Sequence, residues 1–158
     1  MHPLTYEISS MDEVSVAKIA DILEKSYKPT DVIASAHQLG EADRMEWADA
    51  LLTAALTIWT NPPELYTLGG IIKVALKQWD EACELLIKVI QNQKGKAPES
   101  AFIMLSRAQL CRGDLDQAQK ALQVGLLVYP DSKGLTKHAE ELLAKWTEDK
   151  PERVKAAA

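Results

Sequence analysis

Three stretches of the chain carry the same apolar pattern in phase, and this internal repetition narrows the fold more than any other feature. Asp43 onward reads DRMEWADALLTAALTIWTNP, Lys77 onward KQWDEACELLIKVIQNQK, and Gly113 onward GDLDQAQKALQVGLLVYPDS. Each has a bulky apolar residue third (Met45, Trp79, Leu115), an alanine sixth (Ala48, Ala82, Ala118) and a leucine tenth (Leu52, Leu86, Leu122). A small or apolar residue and an aliphatic one follow, at Ala55-Leu56, Val89-Ile90 and Gly125-Leu126. The alanines lie 34 and 36 residues apart. Spacings of four, seven and eight share one face of a helix, so each stretch predicts an amphipathic helix whose alanine admits a close neighbour. The β-branched alternation of strands is missing. An all-α chain of repeated units follows, and a unit that cannot bury its apolar face alone must stack on the next.

With a helix-turn-helix period near 34 and a closing proline, the chain resembles the tetratricopeptide repeat (TPR) family. The resemblance implies a right-handed α-solenoid of three TPR-like helix pairs, over 29–62, 63–96 and 99–132. The third is clearest. Counting Glu99 as its first position, Phe102 and Leu105 take the large apolar sites, Ala108 a small site and Gly113-Asp114 the turn, with Ala118, Leu122 and Pro130 completing it. In the second unit Leu65-x-x-Leu68-Gly69 matches the first-helix signature, one residue out of step with Ala82. The first, from Pro29 to Pro62, has Ser35 and Ala36 where the family prefers Leu-Gly.

Flanking helices are expected at both ends. Ser10-x-x-Glu13 predicts a capping box opening a helix over 11–27, with Val14, Ile19, Ile22 and Leu23 as its apolar stripe. Leu135, Ala139, Leu142 and Trp146 predict a capping helix over 133–147 that shields the last repeat from solvent. Residues 148–158 are expected to be a disordered tail, and the final VKAAA reads as a cloning remnant, so that the natural chain would continue.

Catalytic chemistry finds little support. Asp114 and Asp116 flank a helix start, where carboxylates accept free backbone amides at the positive end of the dipole. His2, His37 and His138 sit in separate segments without metal-ligand spacing, and Gly69-Gly70 lacks the strand-turn-helix setting of a phosphate loop. Cys83 and Cys111 read as reduced packing residues. No catalytic residue, metal or cofactor is therefore expected. A net charge of −5 without a basic run disfavours nucleic acid. No stretch approaches the roughly 20 apolar residues of a membrane span, and the start lacks a signal-peptide pattern, so a cytoplasmic protein is the default expectation.

By resemblance, the first helix of each unit lines a concave face. Its positions map to Thr30, Ile33, His37, Gly40 and Glu41, then Glu64, Thr67, Ile71, Val74 and Ala75, then Ser100, Ile103, Arg107, Leu110 and Cys111. The partner-binding groove is expected at Ile33, His37, Thr67, Ile71, Val74, Ile103, Arg107 and Leu110, a largely apolar surface suited to an amphipathic or extended peptide, or to the chain's own N-terminal helix. TPR proteins that grip the C-terminal carboxylate of chaperones place Lys, Asn and Arg at set positions; Ile33, His37, Thr67, Ser100 and Met104 stand there, so that clamp is absent. Trp47, before the signature alanine, is either an interface anchor or packed on the N-terminal helix. A protein-binding adaptor or small chaperone is the expectation, similar in layout to bacterial secretion chaperones. The competing readings are the N-terminal part of a larger enzyme, for example a transferase, and self-assembly into a homo-oligomer.

Overall fold

The computed structural model describes residues 1–93 and 95–149, and in these it is built of helices alone. They are α1 (Pro3–Ser9), α2 (Val16–Ser26), α3 (Pro29–Glu41), α4 (Met45–Ile58), α5 (Pro63–Ala75), α6 (Trp79–Gln93), α7 (Glu99–Cys111), α8 (Leu115–Val128) and α9 (Lys133–Asp149). Helices α3 and α4, α5 and α6, and α7 and α8 pack as pairs, and each pair packs on the next through its first helix. The first helices α3, α5 and α7 also pack on one another, and α9 takes the next place in that row, against α7 and α8. The architecture is an α-solenoid of helical hairpins.

One turn is used three times. Asp43, Lys77 and Gly113 adopt positive φ (58°, 61° and 82°), each fourteen residues after the start of its first helix. At each, the residue's own amide bonds back to a carbonyl (Asp43 to Gly40, Lys77 to Val74, Gly113 to Leu110) and the following amide reaches one residue further (Arg44 to Leu39, Gln78 to Lys73, Asp114 to Gln109). This double bond pattern is the Schellman motif, which satisfies the orphan carbonyls of a helix end and reverses the chain. Only the third copy has glycine, the residue that takes this conformation without a Cβ penalty.

The repeated turn settles the register of the second unit. Its first position is Pro63, so the small residue facing the second helix is Gly70, not Gly69. A Cβ at Gly70 would lie 2.6 Å from Leu86 Cγ, whereas one at Gly69 would sit 3.3 Å from a Leu85 methyl. The Leu65-Leu68-Gly69 signature is displaced by one residue because leucines at 65 and 68 also satisfy the apolar pattern.

The N-terminal region departs from expectation. Two helices replace the single one over 11–27, and the Ser10–Glu13 capping box is not formed. Ser10 instead closes α1, its hydroxyl donating to the Tyr6 carbonyl, while Ser15 caps α2 by accepting the Lys18 amide at 3.4 Å. Val14, expected on the apolar stripe, is exposed; Ile19 and Leu23 are fully buried. Helix α1 packs on α3 and α2 on α4. Seven residues are too few for a helix to persist in water, so α1 depends on its docking. Leu4 and Ile8 are fully buried, and Pro3 at its first turn is pre-set for a helix start. A polar clasp completes the contact. His2 Nε2 lies 3.1 Å from Asp31 Oδ1, and since a carboxylate only accepts, Nε2 donates and Nδ1 is free to accept from the Leu4 amide and the Ser35 hydroxyl, each at 3.2 Å. Gln38 Oε1 takes both the His2 amide (2.9 Å) and the Thr5 hydroxyl (2.7 Å).

The buried apolar residues form two clusters. One runs from Leu4 through α2, α3 and α4 to Leu65 and Ile72; the other runs from Ala82 and Leu86 through Phe102 and Leu122 to Leu135 and Leu142. Helix α5 borders both, giving Leu65 and Ile72 to the first and Tyr66 and Val74 to the second. Trp47 and Trp59 pack half-buried on the first cluster, and Trp79 on the second. Cys83 is buried as expected, but Cys111, at the last turn of α7, is exposed. Helix α9 runs to Asp149, beyond the expected end at 147; the Trp146 side chain and the expected tail past Asp149 lie outside the described residues.

Candidate concave binding site

A cavity of about 450 Å³ opens along the row of first helices, on the side where the concave face is expected. Helix α3 contributes Ile33 and His37, spaced four apart and therefore on one side of the helix. Helix α5 contributes Glu64, Thr67, Leu68 and Ile71, and α7 opens with Ser100 at the rim. Lys96 and Pro98, in the connection before α7, close one end. The floor is aliphatic and half-buried, while His37, Glu64 and Lys96 are exposed around it. Thr67 does not offer its hydroxyl proton to the cavity, since it donates to the Pro63 carbonyl at 3.0 Å.

Four of the eight expected groove residues, Ile33, His37, Thr67 and Ile71, thus share one cavity. The other four do not line it. Val74 and Leu110 lie half-buried against the C-terminal core. Ile103 also packs there, and its Cδ1 is close to Gly134 at the start of α9. Arg107 is exposed, with Nη2 3.4 Å from His138 Nε2 on α9. Beyond Ser100, α7 therefore faces α9, which continues the row of first helices. The N-terminal helices do not fill the cavity, because no residue before Ile33 lines it.

His138 is held below its ordinary value, first by burial and then by the Arg107 charge, with Glu141 acting in the opposite direction. Trp47 is half-buried, with the Arg44 guanidinium 5.2 Å from its ring centre, a cation–π contact within the chain.

Sequence reasoning did not find the Lys73 bridge. Its ammonium reaches Asp49 Oδ2 on α4 at 3.0 Å and Glu81 Oε2 on α6 at 2.7 Å, joining the second helices of two successive units. Burial alone would lower the Lys73 pKa, but its hydrogen bonds to Glu81 and Asp49 outweigh that and hold it above its ordinary value. The partners stand eight and 24 residues from Lys73, so the trio forms only through tertiary stacking.

Among the described residues, no group of three or more His, Cys, Asp or Glu is placed to hold a metal ion, and no helix is long and apolar enough to cross a membrane.

Comparison with known proteins matches the fold. No protein-family model and no curated protein sequence matches the chain. Among solved structures, the TPR domain of Sgt2 from Aspergillus fumigatus aligns at a TM-score of 0.69 and 18% identity, covering 77% of this chain and 82% of that one. The second TPR domain of human RPAP3, solved with an HSP70 peptide, aligns at 0.64 and 15% identity, covering 70% of this chain and 91% of that one. MamA aligns at 0.62 and 16%, covering 89% of each chain. At these identities what is shared is the backbone plan, and on that ground the chain is an all-α solenoid that resembles the TPR-like helical-repeat fold.

Proposed function

We propose that this protein is a non-catalytic adaptor or small chaperone that binds an extended or amphipathic peptide segment of a partner protein on its concave face. The observation that carries the reading is the convergence of Ile33, His37, Thr67 and Ile71, from two separate first helices, on one open cavity of about 450 Å³. Peptide-bound RPAP3 domains among the similar structures support the general mode. The chemistry here differs from recognition of an acidic chain end. Aliphatic side chains form the floor, and Glu64 and Lys96 bring one charge of each sign to the rim. Burial of the partner's apolar side chains supplies the affinity, and the rim charges set direction. A cytoplasmic setting belongs to the same proposal.

The test is capture from the source cell with wild type, Ile33→Glu and Ile71→Glu as baits. Both positions are half-buried in the cavity wall, so the variants should keep their helicity while losing the partner. Equal recovery by all three baits overturns the reading. Ile103→Glu is less suitable, because Ile103 packs between α7 and α9 and its loss would disturb the fold.

A further inference from the structure

A second surface lies on the other side of α7. Phe102 and Gln109 point away from the concavity, Phe102 standing two residues and about 200° around the helix from Ser100. Here the eleventh position of each unit can be compared: Leu39, Lys73 and Gln109. Leu39 is buried in the N-terminal core. Lys73 is satisfied from both sides by Asp49 and Glu81. Gln109 has neither solution. It is only 7% exposed, and its carbonyl Oε1 is buried without a hydrogen-bond partner among the described residues. A buried amide oxygen left without a hydrogen bond loses its hydration and gains nothing in return, so the position calls for an explanation.

Above Gln109 a furrow of about 340 Å³ opens between α6 and α8. Its walls are Ile87, Ile90, Phe102 and Val124, and Lys120 is the one charged side chain in its lining. Ile87 and Val124 are exposed, and Leu127, one turn beyond Val124 on α8, is 82% exposed. Lys120 has no ion-pair partner among the described residues, and no carboxylate lines the furrow. Between α4 and α6, the preceding pair of second helices, the Lys73 bridge spans the corresponding place. At the N-terminal end of the array an amphipathic helix, α2, packs against the second helix α4 through Ile19 and Leu23.

We propose that the furrow between α6 and α8 is a second docking surface, which takes an amphipathic helix of a partner protein carrying one side-chain amide within its apolar face and a carboxylate on its flank. The aliphatic walls match a helix's apolar stripe. A partner amide offers both donor and acceptor, and rotation of the last Gln109 torsion presents whichever end is needed. The carboxylate answers Lys120, a complement the rest of this acidic chain would repel.

The experiment uses the full chain and two synthetic alanine-based helical peptides with leucines on one face and a glutamate beside them. They differ at one central position, glutamine in one and leucine in the other. The glutamine peptide should bind wild type about tenfold more tightly, as expected for one satisfied buried amide. Gln109→Leu, which keeps the volume and should melt no lower than wild type, should reverse the order. Amide shifts should map to α6, α7 and α8 and persist in Ile71→Glu, whose concavity is altered. Equal binding of both peptides, a glutamine preference unchanged in Gln109→Leu, or shifts confined to α3 and α5 would overturn the proposal. So would a concentration-dependent mass that Val124→Asp abolishes, which would assign the furrow to a second copy of the chain.

Discussion

Gly70 on α5 lies so close to Leu86 on α6 that a Cβ added at residue 70 would stand 2.6 Å from Leu86 Cγ and 2.7 Å from its Cδ2. Leu86 is fully buried and cannot swing away. Gly70→Ala should therefore destabilise the protein by about 1–2 kcal/mol, because overpacking exceeds the roughly 1 kcal/mol gained in helix propensity. The same substitution at Gly40 should have the opposite sign. A Cβ there meets Met45 Cε at an ordinary 3.5 Å, so Gly40→Ala should gain about 0.5–1 kcal/mol. Urea unfolding of the two variants checks both signs.

The three Schellman turns give a second paired expectation. Lys77 holds φ at 61° with a full side chain, and Gly113 holds 82° without one. Lys77→Gly should stabilise by about 1 kcal/mol and Gly113→Ala destabilise by about the same amount, since the left-handed conformation costs L-residues roughly 1–2 kcal/mol. Similar melting temperatures for both variants would show that the turns are not under this constraint.

The Lys73 bridge is half-sheltered, with side-chain exposure of 14% at Lys73, 20% at Asp49 and 58% at Glu81. Lys73→Met should cost about 1–3 kcal/mol at neutral pH, between the values of surface and buried pairs. The folded chain holds this proton more tightly than the unfolded one, because the Lys73 value is raised. Its contribution is therefore complete below the ordinary lysine value and is lost as pH rises through the raised one. Alkaline titration of the urea midpoint should fall less steeply in Lys73→Met than in wild type.

His138 behaves with the opposite linkage. Burial and the Arg107 charge lower its value, so the unfolded chain binds the proton more readily. Acidification through the ordinary histidine range should therefore weaken the packing of α9, beginning near the unfolded value of about 6.5. Arg107→Gln should raise the His138 titration midpoint, read by its imidazole proton shifts; an unmoved midpoint would leave the lowering to burial and the Lys137 charge.

What the sequence disclosed, and what it withheld, follows from the range of each interaction. The alanine-leucine period made the stacked pairs legible, because spacing along one helix face is a local property. The first-helix register of the second unit was obscured by Leu65 and Leu68, two apolar residues that satisfy the pattern in either phase; only the close approach of Gly70 to Leu86 distinguishes them. Helix α1 was invisible to periodicity, since it is short and its cap depends on Asp31 and Ser35, some thirty residues away. The same limit hid the Lys73 bridge and the open furrow over Gln109. Spacing puts Ile33 with His37 on one side of α3 and Thr67 with Ile71 on one side of α5, and it was the resemblance to the repeat family that set the two helices side by side. Neither could place α9 beside Arg107 and Ile103.

The division of the buried side chains into two clusters that meet at α5 bears on mechanics. The concavity spans that seam, with Ile33 belonging to the first cluster and Ser100 to the helix that carries the second. A segment lying along the concavity touches both bodies at once, so its binding energy also opposes any bending of the array about α5. On the proposed reading, a bound segment would also stiffen the solenoid, and a partner's departure would be felt as a loosening of the whole row.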